Sequence, residues 1–284
     1  MSSIDGAPPE QTYQICHLAP KCSIFSLKLA VVTPYHKESP ETLWRCHQSV
    51  LSQTVSCTHI LVSDGHPLPI IDQWEARHIR LPYEHGDYGD MAKSVGAMEA
   101  YVQGFDGIAF LDADNWYRPD HLKKATDRHR QSKSDVVVTY RYFCDPNETP
   151  LAQDLNTNGV EFADTNCMIF FGEGRKMACE WFKIPHWAHC ICDRVLWSWV
   201  KKQNLKISPS KDCTVCYSLE YGGIYELLKI PAPPEALRKN NAEDIARALQ
   251  RWKKETKDDL SFEVRLLKFK DHKVKSLLEE WKLR

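Results

Sequence analysis

Hydrophobic and polar positions form two kinds of segment along the first half of the chain. Short apolar runs, each bounded by polar or turn-forming residues, are typical of buried strands; they cover residues 27–33, 59–63, 107–111 and 135–140, and a further strand is expected over residues 78–81. Longer stretches repeat their apolar residues at helical spacing; they begin near residues 40, 90 and 119. Because strands alternate with helices, the pattern predicts an α/β fold with a mostly parallel sheet flanked by helices.

The expected helix ends carry capping signals. Ser39 can cap the first helix, and Pro40 suits its first helical position. Gly104 is a typical stop for the second helix. These signals predict one helix beginning at Pro40 and another over residues 90–103.

Proline-rich segments divide the chain into three parts. Residues 1–27 have little periodicity and predict a loose N-terminal arm. A proline-rich break at residues 230–234 ends the main domain, predicted over residues 28–234. Two amphipathic stretches then predict a C-terminal helical extension over residues 235–284. A helical appendage packed on the core is favoured over a membrane-surface or partner-binding helix.

Composition excludes some classes of partner. The formal net charge is −1, so no general basic field would recruit nucleic acid or anionic membrane. The longest apolar stretches, such as residues 167–171, are far below the ~18 residues of a spanning helix. We expect no transmembrane segment and leave peripheral membrane contact open. The first residues lack a signal-peptide pattern, and the 11 cysteines form no regular framework, so we expect a cytoplasmic protein.

Two local cysteine pairs invite a zinc hypothesis. They are Cys190 with Cys192 and Cys213 with Cys216, and His186 lies near the first pair. Their spacing lacks the form of a known zinc module. Packing in the core is therefore the favoured interpretation, with zinc as the alternative.

Polar residues end three of the predicted strands. They are Thr33, Asp64 and Asp112. In parallel α/β sheets, ligands bind outside the carboxyl ends of the strands. Asp112 and Asp114 flank Ala113 and point to the same side of an extended chain. Two converging carboxylates suit Mg²⁺ or Mn²⁺, although a polar turn is the simpler alternative.

Four segments, in order, resemble motifs of the family 2 glycosyltransferases, which use the GT-A fold. They are residues 30–35 (AVVTPY), 48–54 (QSVLSQT), 60–65 (ILVSDG) and 110–115 (FLDADN). The resemblance implies a GT-A-type nucleotide-binding sandwich. It also implies a nucleotide-sugar half over about residues 28–115 and an acceptor half over about residues 116–234.

The resemblance also implies roles for single residues on the donor side. The uridine would be cradled by Thr33, Pro34 and Tyr35, and the base would be hydrogen-bonded by Asp64. Asp112 and Ala113 would contact the donor, with Asp112 and Asp114 as metal ligands. Lys93 stands where the family usually has Arg, so it would contact a phosphate, with a solvated helix lysine as the alternative.

The catalytic base and the acceptor side follow from the same resemblance. Asp193 would accept the proton of the acceptor hydroxyl, although Cys192 replaces the family's neighbouring Glu. His189 is a candidate metal ligand. The candidate acceptor-side residues are Asp164, Thr165, Asn166 and Trp187.

We therefore expect an inverting, Mn²⁺- or Mg²⁺-dependent transferase that moves a sugar from a UDP-sugar. Its acceptor would be the hydroxyl of a saccharide, lipid-linked or other molecule. One alternative is a sugar- or nucleotide-binding module of the same fold without turnover. Another is a nucleotidyltransferase, although residues 33–36 are not the glycine-rich basic loop that such enzymes carry.

Overall fold

A computed structural model of the chain describes residues 27–234 and 242–282. The N-terminal arm predicted over residues 1–27 lies outside these ranges apart from Leu27. The first part of the predicted extension, residues 235–241, also lies outside them.

Strands and helices alternate through the first half of the chain. Within the described ranges the strands are β1 (Leu29–Tyr35), β2 (Cys57–Asp64), β3 (Arg77–Leu81), β4 (Gly107–Phe110), β5 (Trp116–Tyr117), β6 (Val136–Cys144), β7 (Pro150–Asp154), β8 (Met168–Phe171), β9 (Ile207–Ser218) and β10 (Leu266–Lys268). The helices are α1 (Pro40–Leu51), α2 (Asp90–Val102), α3 (His121–Ser132), α4 (Arg175–Ala178), α5 (Cys192–Lys202), α6 (Gly222–Leu228), α7 (Ala242–Thr256) and α8 (Asp271–Lys282).

The strands join in one mixed sheet. Its main run has the order β10-β7-β6-β8-β4-β1-β2-β3. The four strands β4, β1, β2 and β3 pair in parallel, as the sequence predicts. β6 pairs antiparallel with both β7 and β8. β7 follows β6 after a short turn, a connection that suits antiparallel neighbours. β9 pairs in parallel with β6 and antiparallel with β5.

Local signals fix the two helices beside the parallel half. Ser39 Oγ accepts a hydrogen bond from Thr42 N at 3.2 Å, and Pro40 opens α1 as predicted. Asp87 Oδ2 accepts from Met91 N at 2.9 Å and caps α2. A Cβ added to Gly96 would lie 2.4 Å from Val32 Cγ1. The absence of a side chain at Gly96 therefore lets α2 lie directly against β1.

The C-terminal segment packs on the same core. Trp252 of α7 is buried, and its ring centroid lies 6.0 Å from that of Trp187 and 6.3 Å from that of Trp199. Leu277 of α8 is also buried. Strand β10, which the sequence pattern did not predict, pairs with β7 and so extends the sheet.

Across the described ranges, no helix combines the length and apolar character needed to cross a bilayer.

Candidate active site

A cavity of 380 Å³ lies at the carboxyl ends of β1, β2 and β4. The predicted site residues that line it are Pro34, Tyr35, Asp64, Lys93, Asp112, Ala113, Asp114, Asp164, Thr165, His189 and Asp193. Asp64, Asp114 and Asp193 are far apart in the chain and yet open on one shared space. A larger hollow of 490 Å³ between β7 and α8 is lined by none of these three aspartates, so the chemistry favours the smaller cavity.

Three predicted contacts, Thr33, Trp187 and Asn166, do not line this cavity. Thr33 is fully buried, and its hydroxyl bonds His59 Nε2 at 2.8 Å, so its side chain is not available to a uridine. Trp187 lines an adjoining hollow of 500 Å³, which shares His189 with the main cavity. The guanidinium of Arg251 lies 4.2 Å from the centre of the Trp187 ring, so that ring already has a stacking partner.

Asn166 fixes the position of Asp112. Asp112 N donates to Asn166 Oδ1 at 2.6 Å, and Asn166 Nδ2 donates to Asp112 Oδ2 at 2.8 Å. The same amide nitrogen lies 2.9 Å from Asp164 Oδ1. Asn166 is fully buried, which corrects its predicted role as an acceptor contact. It positions two carboxylates from behind the cavity wall.

A largely buried arginine that the sequence analysis missed bridges two carboxylates, one of which lines the cavity. Arg141 Nε donates to Asp154 Oδ2 at 2.9 Å, and its Nη1 bonds Asp164 Oδ2. The guanidinium also lies 4.5 Å from the centre of the Tyr217 ring. The available signal was a lone charge in β6, soon after the apolar residues 136–138.

Asp193 lies in the first turn of α5 and lines the cavity. Its Oδ1 accepts a hydrogen bond from Arg194 N at 2.8 Å. Burial raises the pKa of Asp193 to about 6, and the nearby Asp164 carboxylate adds to the increase. The positive charges of Arg194 and Arg141 oppose it. A carboxyl group with a pKa near neutral is suited to accept a proton.

Lys93 belongs to a buried polar network at the start of α2. Its ammonium donates to Asp90 Oδ1 at 3.0 Å and lies 4.6 Å from the centre of the Trp181 ring. Burial lowers the pKa of Lys93, but Cys192 and the Asp90 carboxylate outweigh that effect and raise it. The side chain is 3% exposed, so the alternative of a solvated helix lysine is wrong.

The metal ligands predicted from sequence are only partly assembled. His189 Nδ1 bonds Asp90 Oδ2 at 2.7 Å. Within the described residues, the ligand atoms of Asp112, Asp114 and His189 do not form a group within 4.8 Å of one another. The prediction of His189 as a metal ligand is therefore not supported, because its imidazole belongs to the Asp90 network.

The two carboxylates of the Asp112-Ala113-Asp114 triplet still suit a hard cation. Burial raises the pKa of Asp112, and the Asp164 carboxylate raises it further, while Lys93 opposes both. A divalent ion would relieve that repulsion, and carboxylate oxygens are ligands that Mg²⁺ and Mn²⁺ accept. Arg45 Nη2 donates to the backbone oxygen of Asp114 at 2.6 Å and steadies the loop.

The two cysteine pairs lie in different parts of the fold. Cys190 and Cys192 line the cavity, whereas Cys213 and Cys216 lie in β9. In the parts of the chain that the structure describes, no group of metal-ligating side chains includes any of them. The zinc alternative thus has no preassembled set of ligands at these residues.

Asp64 has a protein partner at the end of β2. Its Oδ1 lies 2.6 Å from His85 Nδ1, and the backbone N of His85 lies 3.1 Å from Oδ2. His85 was not predicted from sequence. It fixes the carboxylate that would face the base of a nucleotide.

The comparison with known proteins decides the family. A family model described as Glycosyl transferase family 2 matches residues 30–195, which is more than half of the chain. The chain belongs to glycosyl transferase family 2. The family match includes Asp64, Asp112, Asp114 and Asp193 and ends within α5.

A curated relative and several solved structures are similar to this family 2 chain. The succinoglycan biosynthesis protein ExoW of Rhizobium meliloti (strain 1021) is 35% identical over 105 residues, which are 34% of this chain and 33% of ExoW. The chain thus matches about a third of that relative's length. Crystal structures of S. aureus TarS, residues 1–349, share the fold. The UDP complex has a TM-score of 0.54 at 16% identity, and the match covers 81% of this chain and 73% of that TarS fragment. The UDP-GlcNAc complex has a TM-score of 0.55 at 12% identity and covers 90% and 72%.

Proposed function

We propose that this protein transfers a sugar from a nucleoside diphosphate sugar, with UDP as the nucleotide, to an acceptor hydroxyl with inversion. The observation that carries the proposal is the convergence of Asp64, Asp112, Asp114 and Asp193 on one cavity at the strand ends. Family membership supports glycosyl transfer. The UDP and UDP-GlcNAc complexes of TarS support a UDP-sugar donor.

The donor side begins at β1 and β2 in this proposal. Asp64, held by His85, accepts a hydrogen bond from the uracil base of the nucleotide. The ring of Tyr35 packs against the same uracil base. The Tyr35 hydroxyl is already bonded to His78 Nε2 at 2.7 Å, so the ring rather than the hydroxyl meets the nucleotide. Lys93 lends positive charge to the diphosphate, although Asp90 partly neutralises it.

Asp112 and Asp114 hold Mn²⁺ or Mg²⁺ in the proposal. When bound, such an ion supplies positive charge that stabilises the diphosphate as it leaves. Asn166 keeps the Asp112 carboxylate oriented toward the cavity through its paired hydrogen bonds. Arg45 holds the backbone of Asp114 through a hydrogen bond to its carbonyl oxygen.

Asp193 acts as the base on the acceptor side. Its carboxylate takes the proton of the acceptor hydroxyl while the hydroxyl oxygen attacks the sugar on the face opposite the diphosphate. Burial keeps its pKa near neutral, which makes it a stronger base than an ordinary aspartate. Arg141 compensates the charge of the neighbouring Asp164, so that Asp193 can ionise.

Donor binding and turnover can be separated by experiment. UDP-sugars should raise the melting temperature in the presence of Mn²⁺, because a ligand that binds the native state stabilises it. Asp193→Asn should keep that shift and lower UDP release by about 10²–10⁴-fold, the usual contribution of a general base. Asp114→Ala should instead lose the Mn²⁺-dependent part of the shift.

Asp127→Asn, a change on the exposed side of α3, serves as the matched control and should behave as wild type. Wild-type turnover in Asp193→Asn would disprove the assigned base. Donor binding without sugar release in wild type would favour the binding module. Formation of a sugar nucleotide from a sugar phosphate would instead favour the nucleotidyltransferase.

A further inference from the structure

Three side chains meet just beyond the ends of three neighbouring parallel strands. His36 follows β1 directly, His66 is the second residue after β2, and Glu84 is the third after β3. His36 Nε2 lies 2.8 Å from Glu84 Oε2, and His66 Nε2 lies 2.7 Å from the same oxygen. Over residues 27–234 and 242–282, this is the only set of three metal-ligating side chains whose ligand atoms fall within 4.8 Å.

We infer that His36, His66 and Glu84 bind a divalent cation of the zinc class. Two imidazole nitrogens and one carboxylate oxygen, completed by water, are a donor set that Zn²⁺ accepts in tetrahedral geometry. With metal–ligand distances of about 2.0–2.1 Å, neighbouring ligand atoms lie about 3.3 Å apart. Each imidazole would have to move away from the glutamate oxygen by only about half an ångström.

The chemistry of this site differs from that of the Asp112 and Asp114 carboxylates. Imidazole ligands favour zinc and the later transition metals, whereas sites made of oxygen alone favour Mg²⁺ and Mn²⁺. The His36, His66 and Glu84 side chains are 40–54% exposed, so an ion can reach them from solvent. The protein would thus take two kinds of metal at two separate positions, and the second does not depend on the proposed transfer reaction.

The backbone holds two of the three ligands, His66 and Glu84, side by side before any ion binds. Gly65 has a φ of +78°, and a Cβ there would lie 2.4 Å from Glu84 N. The turn after β2 therefore lies directly against the backbone of Glu84, which keeps His66 beside it.

The site borders the cavity. His36 lines the cavity itself, and His85, the residue after Glu84, bonds Asp64. An ion bound to His36, His66 and Glu84 would tie together the three loops that frame the proposed nucleotide side.

Lys37 disfavours binding of a cation at Glu84. Lys37 Nζ lies 3.2 Å from Glu84 Oε2, and its positive charge competes for the same carboxylate. The lysine side chain is 59% exposed and can turn into solvent when an ion binds. Lys37→Ala should therefore strengthen ion binding.

Calorimetric titration of the full chain with Zn²⁺, in a buffer that contains excess Mg²⁺ and no nucleotide sugar, tests the inference. Wild type should show a tight equivalent that His66→Ala and Glu84→Gln each weaken by at least about tenfold, since even partners outside the ligand shell typically matter that much. His272→Ala, at an exposed histidine of α8, is the matched control and should leave the affinity unchanged.

Nuclear magnetic resonance of the histidine side chains identifies the residues that respond. The signals of His36 and His66 should shift together with one equivalent of Zn²⁺. Wild-type affinity in both His66→Ala and Glu84→Gln would overturn the inference, because the tight equivalent would then lie elsewhere, for example at thiols. Unchanged His36 and His66 signals would overturn it as well, leaving the three side chains as a hydrogen-bonded group only.

Discussion

Asp193 shows how its surroundings can change the chemistry of one carboxyl group. Its ordinary pKa of 3.8 becomes about 6 in the folded protein, because burial penalises the charge and Asp164 repels it. Asp193 can accept a proton only in its ionised form. The acid limb of the pH profile should therefore report this residue.

We expect kcat/KM for sugar transfer to be full above about pH 7 and to fall roughly tenfold per pH unit below pH 6. Protonation of Asp193 removes the base, so activity is lost as the pH falls through its pKa. Initial rates over a pH series, with the donor Kd measured at each pH, separate this effect from weakened binding. A rate that stays level down to about pH 5 would show that another group takes the proton.

Sequence reasoning placed the aspartates that line the cavity better than the residues that hold them. Asp64 ends β2, and Asp112 and Asp114 follow β4, so local pattern indicates where they lie, while the family resemblance pointed to Asp193. Thr33 was misjudged because β1 is buried on both faces and gives no alternation of polar and apolar residues.

Arg141 and the supporting role of Asn166 were missed for a different reason. Asn166 bonds Asp112, which lies 54 residues away, and Arg141 bonds carboxylates 13 and 23 residues away, and no spacing rule connects such distant positions. Their roles depend on how the strands and loops come together in three dimensions.

Helix α2 is the element most closely fitted to the sheet. Gly96 lies over β1 and β2, where a Cβ would come within 2.4 Å of Val32 Cγ1 and 3.0 Å of Val62 Cγ2. Alanine favours a helix over glycine by about 0.5–1 kcal/mol. The overlap with two buried valines outweighs that gain.

We expect Gly96→Ala to lower the free energy of unfolding by about 1–3 kcal/mol, the usual cost of overpacking a core. Urea denaturation measures it. Met98→Ala, at an exposed position of the same helix, should change stability by no more than about 0.5 kcal/mol. An equal free energy of unfolding for Gly96→Ala and wild type would mean that α2 can move away from β1 without loss of stability. The close packing at Gly96 would then not be required.

The two halves of the sheet differed in how well the sequence predicted them. β1, β2 and β4 are short apolar runs next to amphipathic helices, and the alternation of strands and helices predicted a mostly parallel sheet. β9 contains Lys211 and Asp212 and has no clear alternation. Its position depends on pairing with β6 and β5, which lie more than 60 residues earlier, so no local signal could find it.

At the scale of the whole molecule, the C-terminal segment contributes to the core and to the cavity. Trp252 of α7 packs near Trp187 and Trp199. Ile245 of the same helix lines the cavity. The segment that follows the proline-rich break is thus part of the framework of the site.

Trp252→Ala should lower the free energy of unfolding by about 3–5 kcal/mol, as expected when a buried tryptophan is removed. Chemical denaturation gives the value, and Lys254→Ala on the exposed face of α7 is the control. A cost below about 1 kcal/mol for Trp252→Ala would show that α7 is held in place by other contacts.

The ends of the sheet bear on how the molecule behaves in a crowded solution. A sheet edge exposes unpaired backbone groups that can template the addition of a foreign strand. At one end of the main run, β3 carries Arg77 and Arg80, and at the other end β10 is three residues long and closes on Lys268. The charged side chains at one edge and the short strand at the other both disfavour edge-to-edge aggregation of this wide sheet.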